Sequence, residues 1–304
     1  MKHLVVGPGA MAFFGCLGAL SALKDANELG ELEDISGASA GGLVAFLYVV
    51  AQGDMKRVID YTLRIPIKDA MRYNIRLFLK NFGLVTTHKI RTIITDIIYT
   101  FLEVDNPRIT FRQLRQLRPN SPRLYISAYC VNTGTTMYFS DLVTPDVEIV
   151  NVLCMTIAVP LLFSSVEWEG RRYIDGGTVE EVPCSVFLGK NPDDVCVICH
   201  SPESRPTYDT TSFKDYISSI FSLTLHLRHK YPQFRTVPIF FEHTQTFDFS
   251  MKFDTKVKMI THGYICAQKK VLPMMIQEVK SETTDPQEQS SPVHGLVPIH
   301  PQDQ

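Results

Sequence analysis

The stretch Ile35-Ser36-Gly37-Ala38-Ser39-Ala40-Gly41-Gly42 constrains this chain more than any other. An apolar strand closes there, small residues make a tight turn, and a helix is expected from Gly41 to Val50. Gly37 and Gly41 around Ser39 give the G-x-S-x-G spacing of a nucleophile elbow. Such a turn lifts a serine hydroxyl out of the backbone, and small neighbours let a carbonyl approach it. Its position counts as much as its spacing. Only one strand, one loop and one helix fit before Ser39, which limits the folds that can carry the elbow.

Those preceding elements are Leu4-Val5-Val6 as a strand, a Gly7-Pro8-Gly9 loop, and a helix from about Met11 to Lys24. Strand-helix-strand-helix order argues for a parallel sheet covered on both faces. Lys2, the apolar run from Leu4 and the small residues near Ala22 imitate a secretory signal. Pro8 and the glycines at 7, 9, 15 and 18 break that run, so a strand, loop and buried helix is the reading adopted, with a cytoplasmic or peripheral-membrane protein expected. From Asp54 to Leu117 the pattern is helical, with Asp54 capping one helix and Thr86 or Thr87 another. Ile90, Ile93, Ile94, Ile97, Ile98 and Phe101 recur at spacings of three and four. That stripe suits a core face, or the lining of an acyl-chain pocket. The basic run from Met71 to Lys80 suits a solvated helix face, with a lipid-facing patch as the alternative.

Strands follow over Leu124–Val131 and Met137–Phe139, then a helix from Val150 to Val159 stopped by Pro160. Val166-Glu167-Trp168 and Arg172-Tyr173-Ile174 flank Glu169-Gly170, a hairpin signal. Val195–Cys199 is another strand, and Phe213–His229 and Asp254–Leu272 are expected helices. Residues 281–304 are rich in Ser, Thr, Pro, Gln and Asp and are expected to be disordered. Net charge is −2, which makes no electrostatic case for nucleic acid. Most of the seven cysteines sit in apolar runs, as buried thiols in a reducing compartment do. Cys196-Val197-Ile198-Cys199-His200 fits a haem-attachment pattern only on paper, because it lies in a strand whose alternate side chains diverge.

Ser39 needs a base to become a nucleophile. His200, His226, His229, His243 and His262 all lie downstream, but none sits in a distinctive loop motif. Asp175 follows a strand, in Arg172-Tyr173-Ile174-Asp175-Gly176-Gly177, where two glycines allow a sharp turn. Alone this reads as an Asp-Gly turn. It gains weight from Ala158-Val159-Pro160-Leu161-Leu162-Phe163 upstream and Val182-Pro183 downstream. A competing reading uses the first loop. Val5-Val6-Gly7-Pro8-Gly9-Ala10-Met11-Ala12 fits the dinucleotide-binding fingerprint, which expects an acid closing the second strand.

Three blocks together resemble patatin-like phospholipases. They are the N-terminal glycine loop with Gly15-Cys16-Leu17-Gly18-Ala19-Leu20, the elbow Gly37-Ala38-Ser39-Ala40-Gly41, and Pro160 through Asp175-Gly176-Gly177 to Pro183. They fall within residues 4–200, in a domain expected over 1–275. The resemblance implies a three-layer α/β domain with a mainly parallel central sheet flanked by helices. It implies a Ser–Asp dyad, with Ser39 the nucleophile and Asp175 the general base, and Gly37, Gly41, Gly176 and Gly177 supporting the two turns. Aspartate is ionised at neutral pH but a weak base. Backbone N–H groups of Gly7, Gly9 and Ala10 would hold the oxyanion. The loop departs from the family pattern: Pro8 has no N–H, no basic residue follows, and Ala10 or Ala12 stands where glycine is usual.

The activity so implied is acyl-ester hydrolysis of phospholipids or lysophospholipids. Neutral acylglycerols are the alternative substrates, and a non-catalytic lipid-binding protein is a third class. The expected partner is a membrane or lipid-droplet surface, met transiently, and no nucleic acid. No cofactor is expected, and no metal, since no carboxylate-rich calcium cluster stands out.

Overall fold

The computed structural model describes residues 1–180, 182–201, 233–240 and 247–282. The helix expected over 213–229 and the tail from 283 lie outside the described residues. β1 (His3–Val6) is buried along its whole length because it sits mid-sheet, between β2 (Asp34–Ala38) and β9 (Val195–Ser201). β10 (Arg235–Phe240) extends the parallel set beyond β9, and β4 (Arg123–Cys130) extends it beyond β2. Past β4 the sheet turns antiparallel, through β5 (Thr135–Phe139), β8 (Arg171–Asp175) and β7 (Val166–Trp168). The hairpin expected at Glu169-Gly170 joins β7 to β8, and both turn residues take positive φ, 49° and 68°. The fold is thus mixed α/β, with a central sheet flanked by helices.

Alternation along the strands builds two unequal cores. Leu4, Val6, Ile35, Leu124, Ile126, Cys196 and Ile198 face the large one, with α1 (Phe13–Asp25), α2 (Ala40–Val50), α6 (His88–Leu102) and α8 (Ile149–Thr156). Val5, Tyr125, Val195 and Val197 face the other way, onto Val182, Cys184, Phe187 and Phe234. Asp54 caps α3 (Met55–Arg64) as expected, accepting the Arg57 N–H at 3.0 Å. Thr87 precedes α6 but its side chain makes no capping bond. The stretch read as wholly helical is interrupted after α4 (Ile67–Ala70) and α5 (Ile75–Asn81) by β3 (Gly83–Val85), which pairs with β6 (Leu161–Phe163) in a small parallel sheet. α7 (Phe111–Leu117) follows, held by a capping box from Thr110 and Gln113.

Burial holds the thiols protonated: Cys16 is pushed up to about 12, and Cys154 and Cys196 to about 11. These cysteines act as small hydrophobes.

α1 is apolar all round because it is covered twice, by the sheet and by a final helix, α9 (Phe253–Glu282), which runs past residue 275. The two helices touch backbone to backbone. A Cβ at Gly18 would lie 1.9 Å from the Ile260 carbonyl oxygen, and one at Gly263 would lie 2.0 Å from that of Gly15. The Lys256 ammonium lies 5.2 Å from the Phe14 ring centroid and donates to the Ile65 carbonyl at 3.3 Å. Gly18→Ala should therefore force α9 off α1, at a cost of about 1–3 kcal/mol or more. Urea unfolding of the variant checks this, and an unchanged midpoint would contradict the packing.

Candidate active site

Ser39 occupies a single residue of turn between β2 and α2, at φ 55° and ψ −130°. A non-glycine residue held there carries on the order of 1–3 kcal/mol of backbone strain, as a nucleophile elbow does. The serine is buried, and although it stands at the N-cap position its side chain makes no capping bond to α2. The glycines around it permit backbone contact. A Cβ at Gly41 would lie 2.2 Å from the Val6 carbonyl oxygen and 2.4 Å from that of Gly7. One at Gly37 would lie 2.4 Å from the Gly41 oxygen. The elbow thus rests directly on the end of β1.

A residue that sequence reasoning missed fixes the elbow from the other side. Thr156, fully buried at the end of α8, accepts the Ser39 N–H at 2.8 Å and donates to the Ser127 carbonyl at 2.6 Å. Within the apolar run Val152-Leu153-Cys154-Met155 nothing marks this hydroxyl as more than a helix-end residue.

Asp175 reaches the same place through strand register. β2 ends with Ala38 opposite Ser127, and β8 ends with Asp175 opposite Ala128. β5 occupies the other edge of β4 over these residues, so β2 and β8 share one edge and meet end to end. Asp175 is buried, donates its N–H to the Ala158 carbonyl at 3.0 Å, and accepts the Gly177 N–H on Oδ1 at 2.7 Å. The Asp-Gly turn therefore forms and uses one of the two carboxylate oxygens. A Cβ at Gly176 would lie 2.4 Å from the Ser127 oxygen, and one at Gly177 would lie 2.6 Å from Pro8 Cβ. The three sequence blocks converge at this point.

The glycine loop needs one correction. The Gly7 N–H is donated to the Ile198 carbonyl at 2.8 Å and belongs to the sheet, so it is no oxyanion donor. The N–H groups of Gly9 and Ala10 have no acceptor among the described residues. Ala10 is held at φ 45° and forms part of the cavity wall beside Ser39. The dinucleotide reading of this loop lacks its acid. β2 ends in the elbow, and Asp34 lies at its other end, 2.9 Å from His3 Nδ1 and 3.7 Å from Arg123. His3, Glu33 and Asp34 are the one group among the described residues with ligand-type atoms close enough to share an ion, and they lie at the opposite end of the strands from Ser39.

Of the histidines, His200 is the last residue but one of β9, beside Gly9, and His262 lies on α9 with Nε2 3.4 Å from Cys266 Sγ. His226, His229 and His243 lie outside the described residues. An apolar cavity opens at Ser39. Leu43 and Leu47 of α2, Ile90, Ile93, Ile94 and Ile97 of α6, and Ile65 and Met71 line it. The α6 stripe therefore divides: its first four members line the cavity wholly or in part, while Ile98 and Phe101 are buried in the core. No helix among the described residues is long and apolar enough to cross a membrane.

Comparison with known proteins agrees with this fold. The model of the patatin-like phospholipase family matches residues 4–188. A probable lipid hydrolase of Invertebrate iridescent virus 6 is 22% identical over 247 residues, covering 78% of each chain. An uncharacterised protein of Acanthamoeba polyphaga mimivirus is 26% identical over 191 residues, 62% of this chain and 61% of its own length. The chain thus spans less than two thirds of that relative. Among solved structures, VipD from Legionella pneumophila superposes with a TM-score of 0.59 at 16% identity, over 90% of this chain and 67% of its own. Human GIVD cytosolic phospholipase A2 gives 0.52 at 11% identity, over 92% and 59%. These two likenesses are of fold.

Thr156→Val keeps the shape of Thr156 but leaves a buried N–H and a buried carbonyl without their partner, which costs about 1–3 kcal/mol or more. Urea unfolding should show that loss for Thr156→Val and little loss for Thr156→Ser. Equal losses would assign the effect to methyl packing instead.

Proposed function

The chain belongs to the patatin-like phospholipase family, and on that premise we propose that it is a serine acyl hydrolase cleaving fatty-acyl esters of phospholipids or lysophospholipids. One observation carries the reading: a strained elbow serine that makes no capping bond opens onto an aliphatic cavity, and the strand ending in the buried Asp175 turn meets the elbow strand end to end along β4. Ser39 Oγ attacks the ester carbonyl while Asp175 takes its proton. The carbonyl oxygen becomes an oxyanion, held by the N–H groups of Gly9 and Ala10, with the N-terminus of α2 adding a favourable dipole. Each such donor is worth roughly 3–4 kcal/mol in comparable enzymes. As the intermediate collapses, Asp175 gives the proton to the leaving oxygen, which departs as the alcohol and leaves an acyl-enzyme on Ser39 and Asp175 ionised again. Water deprotonated by Asp175 then releases the fatty acid. The reading assigns no step to a metal ion or cofactor.

Substrate class rests on the cavity. A wall of leucine, isoleucine and methionine takes up hydrocarbon and gives a polar acyl group nothing to bind. The viral relative named a probable lipid hydrolase supports this, as does the GIVD phospholipase A2 structure, which holds a methyl γ-linolenyl fluorophosphonate. Neutral acylglycerols would fit the same cavity. The enzyme would meet a membrane or lipid-droplet surface transiently from the cytoplasm.

Hydrolysis of a soluble short-chain p-nitrophenyl ester tests the dyad. Ser39→Ala should fall to background, and Asp175→Asn should lose roughly 10²–10⁴-fold, the range general-base catalysis supplies. His200→Gln should stay close to wild type. Full activity in Ser39→Ala, or loss in His200→Gln with Asp175→Asn unaffected, would contradict the assignment.

A further inference from the structure

Between α3 and β3 the chain carries a cation every fourth residue: Arg64, Lys68, Arg72, Arg76 and Lys80, with Asp69 the one acid over residues 64–82. All five are exposed, and no carboxylate among the described residues lies within 4.0 Å of any of them. Large apolar side chains stand out among these charges. Ile75 is 79% exposed, Leu79 84%, Tyr73 58% and Phe82 52%. Ile75 and Leu79, and Arg76 and Lys80, are pairs one turn apart on α5. The Arg172 guanidinium lies 4.7 Å from the Phe82 ring centroid, adding a cation at the patch edge.

The inner face of the same segment has another task. Ile65, Ile67, Ala70 and Met71 line the cavity that contains Ser39. Residues 64–71 are thus the wall between that cavity and the outside, and the cationic, apolar face continues from them through α5.

We infer that residues 64–82 form a docking surface for an anionic phospholipid bilayer, placing the cavity rim against the lipid. This deepens the proposed function and rests on it for the substrate, though not for the surface itself. Cations that attract an acidic headgroup layer, with Ile75 and Leu79 projecting between them to enter the acyl boundary, are the two components of interfacial binding. Charge complementarity singles out this face. The whole chain carries a net charge of −2, so attraction to an anionic membrane has to come from a local excess of cations. An acidic protein or a nucleic acid would use the cations but leave the apolar tips without hydrocarbon, so these occupants fit less of the surface.

Flotation of the full chain with phosphatidylcholine vesicles, with and without phosphatidylserine, tests the inference. Wild type should float with the phosphatidylserine vesicles, and salt should weaken that binding. The triple variant Arg72→Gln, Arg76→Gln, Lys80→Gln should lose roughly a hundredfold in partitioning, about fivefold per cation, and with it the preference for phosphatidylserine. The double variant Ile75→Asn, Leu79→Asn should lose about tenfold or more on both vesicle types. Both variants should hydrolyse the soluble ester like wild type, which also reports that they fold. Ser39→Ala should float like wild type. If wild type stays unbound, or the variants float as well as wild type, the inference falls and the surface belongs to another occupant. If the patch variants lose binding while Ser39→Ala keeps hydrolysing the ester, docking stands and the catalytic reading falls.

Discussion

The site depends on a backbone contact with no side chain in it. Gly41 lies against the carbonyls of Val6 and Gly7, so the first turn of α2 sits on the end of β1. That contact sets the angle at which α2 leaves β2 and forces Ser39 into its strained turn. It also places the glycine loop beside the serine. A methyl group at position 41 would separate the two segments, and the loop would move with them. Thr156 completes the clamp from the far side, joining the Ser39 N–H to the Ser127 carbonyl. Ser127 and Ala128 are the residues of β4 where β2 and β8 meet, so one buried hydroxyl ties the serine turn to the strand that also positions Asp175.

This arrangement makes clear why the elbow was legible in the sequence and its support was not. Gly37, Ser39 and Gly41 lie within five residues, so their spacing records a local conformation. The turn at Asp175 was legible for the same reason. Their convergence followed only from the family resemblance and not from local spacing, because it arises from register along β4, between segments more than a hundred residues apart. Thr156 left no signal, since a threonine in an apolar helix has the same composition whether it bridges two strands or only closes the helix. The loop misled in one respect. Gly7 looks like part of a flexible donor loop, yet its N–H completes the pairing with β9, whose strand character shows only in the distant run Val195–Cys199.

The α6 stripe illustrates a different limit. Spacing marks a face as apolar but leaves open what it faces. Here one helix does both things that such a stripe can do, lining a cavity with its first turns and packing the core with its last. The basic run after α3 was ambiguous in the same way. Its charges suit water, and only the exposure of Ile75 and Leu79 between them gives the face a second character. Beyond residue 200 no block carries the resemblance, yet the helix expected over Asp254–Leu272 forms as α9 and covers α1 through glycines on both helices. The helix that holds the glycine loop in place is thus itself held by a distant part of the chain.

The central claim is that Ser39 is the nucleophile and that its elbow delivers it to an acyl group. The most direct measurement is peptide mapping by mass spectrometry after treating the native chain with a long-chain alkyl fluorophosphonate. The account predicts one covalent adduct, on Ser39, that forms in native protein and does not form when the chain is unfolded in urea before treatment. An adduct on a different residue, or none while the protein hydrolyses lipid esters, would contradict it.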